Sequence, residues 1–190
     1  MSDLSPEAVL PLLRGRLGHP YRFVERTPST QRLLGDEERE GTTVAADEQT
    51  EGRGRLGRSW HAPAGRAILV SVLLRPRLHM ALWPELSVVA GEAVAAALPL
   101  DAAVSFPNDV MVDGRKVAGV LAEAQPGIVR LGIGVNVNQA GEELPPDTPK
   151  PPTSLRVELG HELDRAPLLT AILFELETRY DAWQLQSLGR

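Results

Sequence analysis

The chain has no cysteine, which removes disulfides, thiolate zinc sites and a cysteine nucleophile together and fits a reducing, cytoplasmic setting. It has no excess of positive charge. The balance is 20 Lys+Arg against 25 Asp+Glu, or −5 with histidine neutral, a poor one for a general nucleic-acid binder. It has no uncharged apolar run near the roughly 18 residues that cross a bilayer, and Asp3 and Glu7 stand where a signal peptide carries positive charge. The histidines His19, His61, His79 and His161 lack metal-ligand spacing. No Ser/His/Asp order suggests a hydrolase, and no Walker-type lysine loop is present. What remains is ordinary: 43% hydrophobic and 24% charged residues over 190 positions, enough for one self-supporting core. A soluble single domain over residues 1–190 is expected, with neither membrane nor DNA as a partner.

Pro6, Glu7, Val9, Leu10, Leu12, Leu13 and Leu17 suggest a short N-terminal helix punctuated by Pro11. Residues 21–25 alternate as a strand does, and Thr27-Pro28-Ser29-Thr30 reads as a turn into a helix capped by Ser29 or Thr30. Residues 42–46 are a second strand candidate, and the glycine- and arginine-rich residues 50–65 a loop. Residues 67–74 form an apolar run of strand length stopped by Pro76. Helical spacing then predicts a helix over about 84–98. Residues 102–106 return to strand. Asp113-Gly114 is a hairpin signal between strands at 110–112 and 116–122, and Pro126-Gly127 turns the chain into a strand at 128–137. The proline-rich, acidic residues 141–152 read as an exposed loop. Leu168, Leu169, Ile172, Leu173, Leu176, Tyr180 and Trp183 mark a last amphipathic helix. Strands outnumber helices and join by hairpins, which predicts an α+β fold: a mixed, mostly antiparallel sheet with helices packed on one face.

Three segments look chemical. In Gly52-Arg53-Gly54-Arg55-Leu56-Gly57-Arg58-Ser59-Trp60, glycines let backbone N–H groups turn toward one point while guanidiniums converge on it, which suits phosphate or carboxylate. Trp60 offers a flat face to a purine or packs beneath the loop. Composition alone also fits a flexible basic surface loop or an RNA-binding segment; the acidic remainder of the chain favours a small anion. Phe106-Pro107-Asn108-Asp109 reads either as an ordinary turn or as Asn108 reading a base edge and Asp109 orienting a cation or a basic partner. The third segment pairs Lys116 to Leu121 with Gly132-Ile133-Gly134-Val135-Asn136. At the two-residue period Gly132, Gly134 and Asn136 share one face, a hollow ending in an amide. Strict alternation sets Lys116 and Gly119 on opposite faces, so a shared ligand requires a bulge or Gly119 backbone alone. Close sheet–helix packing and a solvated Lys116 fit the same residues.

In this order the segments resemble the catalytic domain of biotin–protein ligases. Residues 52–60 match that family's GRGRxGRxW loop, Phe106 to Asp109 resembles its WPND turn, Lys116 to Leu121 its KxxGIL strand, Gly132 to Asn138 its GxGxNVN strand, and Ser29-Thr30-Gln31 its STN turn. The resemblance spans about residues 22–183. It implies a biotin/lipoate ligase catalytic-domain fold and a two-step reaction. Biotin is activated by Mg-ATP to biotinyl-5′-AMP, and a lysine of the biotin carboxyl carrier protein of acetyl-CoA carboxylase then takes the acyl group. It implies biotin contacts at Ser29, Thr30, Gln31, Gln49, Gly52, Arg53, Gly54, Arg55, Lys116, Gly119, Leu121 and Gly132. ATP contacts are implied at Arg58, Trp60, Asn108, Asp109 and Asn136. Lys116 and Arg55 are the implied catalytic pair, and Mg²⁺ comes with ATP rather than through dedicated protein ligands. The arginine loop is expected to order when an anion neutralises it. Pairing through sheet edges makes a homodimer an expectation.

The chain departs from the family pattern in four ways. Ser105 and Phe106 stand where the turn usually reads Lys-Trp, and Gln31 replaces an asparagine. No helix-turn-helix is read before Tyr21, and no SH3-like domain after Trp183. Three alternatives stay open on sequence grounds: a lipoate- or octanoyl-transferring relative, a non-catalytic biotin or nucleotide binder, and an RNA binder using the arginine loop.

Overall fold

The computed structural model describes residues 2–146 and 148–186. Its strands are β1 (Tyr21–Thr27), β2 (Thr43–Gln49), β3 (Ala67–Leu74), β4 (Ala103–Ser105), β5 (Asp109–Val112), β6 (Arg115–Gln125) and β7 (Ile128–Asn136). They form one sheet in the order β1-β2-β3-β7-β6-β5-β4. Only β1 and β2 run parallel; every other neighbouring pair is antiparallel. The mixed, mostly antiparallel sheet expected from the sequence is what forms.

Local chemistry explains the connections. Asp113 and Gly114 both take positive φ, 46° and 75°, the twist that a two-residue link between β5 and β6 needs. Gly127, with φ 84°, turns β6 into β7. The parallel pair β1–β2 cannot be joined by a hairpin, so the chain crosses over, and the start of that crossover, Ser29 to Gln31, lies against the sheet.

The helices are α1 (Pro6–Val9), α2 (Leu86–Ala97), α3 (Leu155–Leu159) and α4 (Arg165–Gln186). Four details differ from expectation. The N-terminal helix is one turn, because Pro11 leaves only a 3₁₀ turn over Leu10–Leu12 behind it. Residues 30–33 make a 3₁₀ turn without a side-chain cap, since the Thr30 hydroxyl is taken by Gln49 and Ser71. A 3₁₀ segment, Met80–Glu85, precedes α2 and contains Pro84. The short α3 follows the prolines; the Ser154 hydroxyl accepts from the Val157 N–H at 3.1 Å, and Gly160 ends the helix at φ 79°.

The helices cover one face of the sheet. Along β7, Val129, Leu131, Ile133 and Val135 point into a core with Ala90, Ala93 and Val94 of α2 and Leu169, Ile172, Leu176 and Tyr180 of α4. Small α2 residues let that helix sit close: a methyl on Gly91 would already stand 3.1 Å from Val104. Residues 80–97 reach a membrane span in length and mean hydropathy, 1.2, yet here Leu86, Ala90, Ala93 and Val94 are buried core residues. The other face carries a small apolar cluster of Leu34, Val44, Leu73 and Ile128 and, beside it, the floor formed by Gly119, Leu121, Gly132, Gly134 and Asn136.

Candidate active site

Strand register brings the hollow together. Gly119 of β6 is paired with Gly134 of β7 and with Asp109 of β5, and Gly132 stands between Leu121 and Ser71. Into this floor settles the indole of Trp60. A methyl on Gly134 would fall 2.5 Å from Trp60 Cε2, and one on Gly119 would fall 3.0 Å from Cζ3. Trp60 therefore packs beneath its loop on a bed of glycines. Its buried Nε1–H has no hydrogen-bond partner among the described residues, a donor left for an acceptor on a ligand.

Of the two alternatives that strict alternation left open, a bulge or Gly119 backbone alone, the bulge is present. Val110 pairs with Ala118 but Met111 pairs with Lys116, so Val117 is the extra residue. The slip turns Lys116 onto the glycine face: its Nζ lies 5.4 Å from the Trp60 ring centre and 3.3 Å from where a Gly119 methyl would be.

One end of the cavity is polar and neutral. Gln49 Oε1 accepts from the Thr30 N–H at 2.8 Å and the Thr30 hydroxyl at 2.9 Å, and Thr30 Oγ1 meets Ser71 Oγ at 2.7 Å. Ser29 is buried beside them. Gln31 lies over Gly132, donating to the Leu121 and Arg130 carbonyls at 3.1 and 3.0 Å. Such a cluster of hydroxyls and carboxamides suits a small ring bearing its own N–H and C=O groups.

The other end is cationic. Asp109 is buried and takes an ammonium on each oxygen, Lys116 on Oδ1 and Lys150 on Oδ2, both at 2.7 Å. Burial pushes the Asp109 carboxyl up, but the bonds from Lys116 and Lys150 outweigh it and hold the pKa below the ordinary 3.8. Arg55 reaches Asn108 Oδ1 at 3.3 Å. Asn108 also donates to the Val120 carbonyl at 2.8 Å. The Arg58 guanidinium has no partner among the described residues. Among the described residues, Arg55, Arg58, Lys116 and Lys150 thus face one lining carboxylate, Asp109, an excess of positive charge that fits a polyanion.

All but one of the sequence-predicted site residues line this cavity of about 540 Å³. The exception is Gly52. It lies behind the loop, where its carbonyl accepts from the Trp60 N–H at 2.9 Å and a methyl would meet the Trp60 carbonyl oxygen at 2.3 Å. Gly52 seats Trp60 rather than facing the cavity. Two others arrive already engaged. Arg53 is held by both Glu123 oxygens at 2.8 and 2.9 Å. Asn136 donates to the Thr153 carbonyl at 2.9 Å and accepts from Gln139 Nε2 at 2.8 Å. The arginine loop is closed on itself by its backbone: Arg53 bridges to Ser59, and the Gly54 N–H donates to the Arg58 carbonyl at 2.7 Å.

Among the lining residues that the sequence did not single out as site residues, Ser71 and Lys150 make polar contacts with predicted ones. Ser71 is the one polar residue in the run Ala67–Leu74, a signal in plain view. Lys150 lies in the proline-rich stretch before α3, and that stretch is not remote from the site. The Lys116 N–H donates to the Pro151 carbonyl at 2.7 Å and the Thr153 N–H to the Lys116 carbonyl at 2.8 Å, so the loop returns to the site.

A model of the biotin/lipoate A/B protein ligase family matches residues 23–139. The chain is similar to the bifunctional ligase/repressor BirA of Bacillus spizizenii, 38% identical over 177 residues that cover 86% of this chain and 54% of that protein. It is similar to the biotin–[acetyl-CoA-carboxylase] ligase of Mycobacterium tuberculosis, 40% identical over 154 residues covering 76% and 56%. It therefore spans little more than half the length of these relatives. Among solved structures it resembles the biotin protein ligase from Aquifex aeolicus in complex with biotin and ATP, with a TM-score of 0.78 and 32% identity over 86% of this chain and 71% of that one.

Proposed function

The chain belongs to the biotin/lipoate A/B protein ligase family, and from that premise we propose that it is a biotin–protein ligase. In the first step a biotin carboxylate oxygen attacks the α-phosphorus of ATP; the bond to the bridging oxygen breaks, and pyrophosphate leaves. In the second a lysine amine of a biotin carboxyl carrier protein attacks the acyl carbon, and AMP leaves. Neither step needs a covalent enzyme nucleophile, so catalysis rests on positioning and on stabilising phosphate charge.

The observation that carries this reading is the place of Lys116: its ammonium stands 2.7 Å from Asp109 and 5.4 Å from the Trp60 ring centre, within one cavity that runs from a neutral polar end to a cationic end. Ser29, Thr30, Gln31 and Gln49 hold the biotin ring system, with Gly119, Leu121 and Gly132 beneath it. Lys116 lies between biotin carboxylate and α-phosphate, and Arg53, Gly54 and Arg55 close above. Arg58, Trp60, Asn108, Asp109 and Asn136 serve the nucleotide. Mg²⁺ enters as part of the ATP substrate, since Asp109 is committed to two ammonium groups. A cytoplasmic setting, supported by the lack of cysteine, and a homodimer through the edge strand β1 or β4 belong to the same proposal.

Exchange of labelled pyrophosphate into ATP tests it. Exchange is expected with biotin and absent without it or with lipoate instead. Biotin binding without exchange would make the protein a mere binder, and exchange supported by lipoate would make it the lipoate-activating kind.

A further inference from the structure

Lys150 has no counterpart among the sequence motifs, yet it completes the cationic end of the cavity. Its Nζ lies 2.7 Å from Asp109 Oδ2 and 3.0 Å from Ser105 Oγ. Ser105 is the position where the resembled turn carries a lysine and this chain does not. The ammonium of Lys150 therefore occupies space beside residue 105 that a lysine there would reach with its own side chain. Two ammonium groups on one carboxylate leave a net positive charge, and Lys150 is half-buried beside Lys116 in the wall of the same cavity. Such a charge, held but not neutralised, is suited to receive a phosphate oxygen.

We propose that Lys150 binds the phosphates of ATP, supplying from residues 141–152 the charge that Ser105 omits, with Asp109 aiming it. This rests on the ligase reading, and biotin-dependent exchange by the parent protein tests that reading first and separately. The inference itself is tested by Lys150→Gln. Loss of one charge-assisted contact is expected to raise the KM for ATP by about tenfold or more, with the biotin Kd unchanged. The charge transposition Ser105→Lys/Lys150→Gln then restores the ATP KM to within about threefold of the parent, an order-of-magnitude expectation for a charge returned to the same oxygen acceptors. An unaltered ATP KM in Lys150→Gln overturns the inference. So does a double variant that behaves like Lys150→Gln alone, because a structural role for the loop would not be rescued by a lysine at position 105.

Discussion

The two faces of β7 carry opposite residues on one backbone. Val129, Leu131, Ile133 and Val135 are buried against helices, while Arg130, Gly132, Gly134 and Asn136 alternate with them on the face that holds the cavity. The first face is filled by branched aliphatics and closed by α2 and α4. The second is emptied by glycine and refilled by a tryptophan from a loop and by polar groups from the crossover. Strand periodicity lets one segment supply stability and chemistry at once, provided that the register never slips by one residue. Where the site needs a residue from the wrong face, as with Lys116, a bulge supplies it.

If the faces divide labour in this way, substitutions on each should separate stability from activity. Leu131→Ala removes a wholly buried side chain from the helix face and should cost about 2–5 kcal/mol of folding free energy, measured by urea denaturation, with the exchange rate per folded molecule unchanged. Lys116→Ala, on the other face, should cost folding no more than its ion pair with Asp109 and cut adenylate formation at least about a hundredfold, roughly 2.7 kcal/mol of transition-state stabilisation. An unchanged exchange rate would move the chemistry elsewhere.

Gly134→Ala falls between these extremes. Its methyl would stand 2.5 Å from the Trp60 ring, so the indole must move, at a cost of about 1–3 kcal/mol for overpacking. Tryptophan fluorescence should shift and the ATP KM rise, whereas neither would change if Trp60 were loosely held. Arg55→Gly should let the adenylate leak, with its dissociation about tenfold faster for one lost guanidinium contact; a dissociation rate equal to the parent's would show that the loop does not retain it. The smallest effect is one of pH. The Asp109 carboxylate is held below 3.8 when folded, so the unfolded chain binds the proton more readily and stability rises with pH through this window. The contribution is fully present above the ordinary value and lost as pH falls through the lower folded one. The gap in thermal midpoint between the parent and Asp109→Asn should accordingly close on acidification, and a gap that persists would place the Asp109 effect in packing.

Much of this is legible in the sequence, because strand periodicity is a short-range property. The Gly132-Gly134-Asn136 hollow and the choice between a bulge and a backbone-only Gly119 beside Lys116 followed from counting by twos, and the Asp113-Gly114 turn from its residue types. The sequence could not say that the Thr30 hydroxyl prefers Gln49 and Ser71 to capping a helix, since those partners lie on other strands. Nor could it say that Lys150 returns to Asp109 across 41 positions; prolines mark a loop but not its direction. Gly52 was misassigned because a glycine in a binding loop and a glycine under one look alike until the neighbouring carbonyl is seen.

The most direct test of the whole account is a crystal structure of the protein with biotinyl-5′-AMP. The acyl phosphate should lie against the Lys116 ammonium, with the biotin rings between Thr30 and Gly132 and the nucleotide toward Arg58 and Lys150. Finding the compound outside this cavity, with the acyl phosphate away from Lys116, would contradict it.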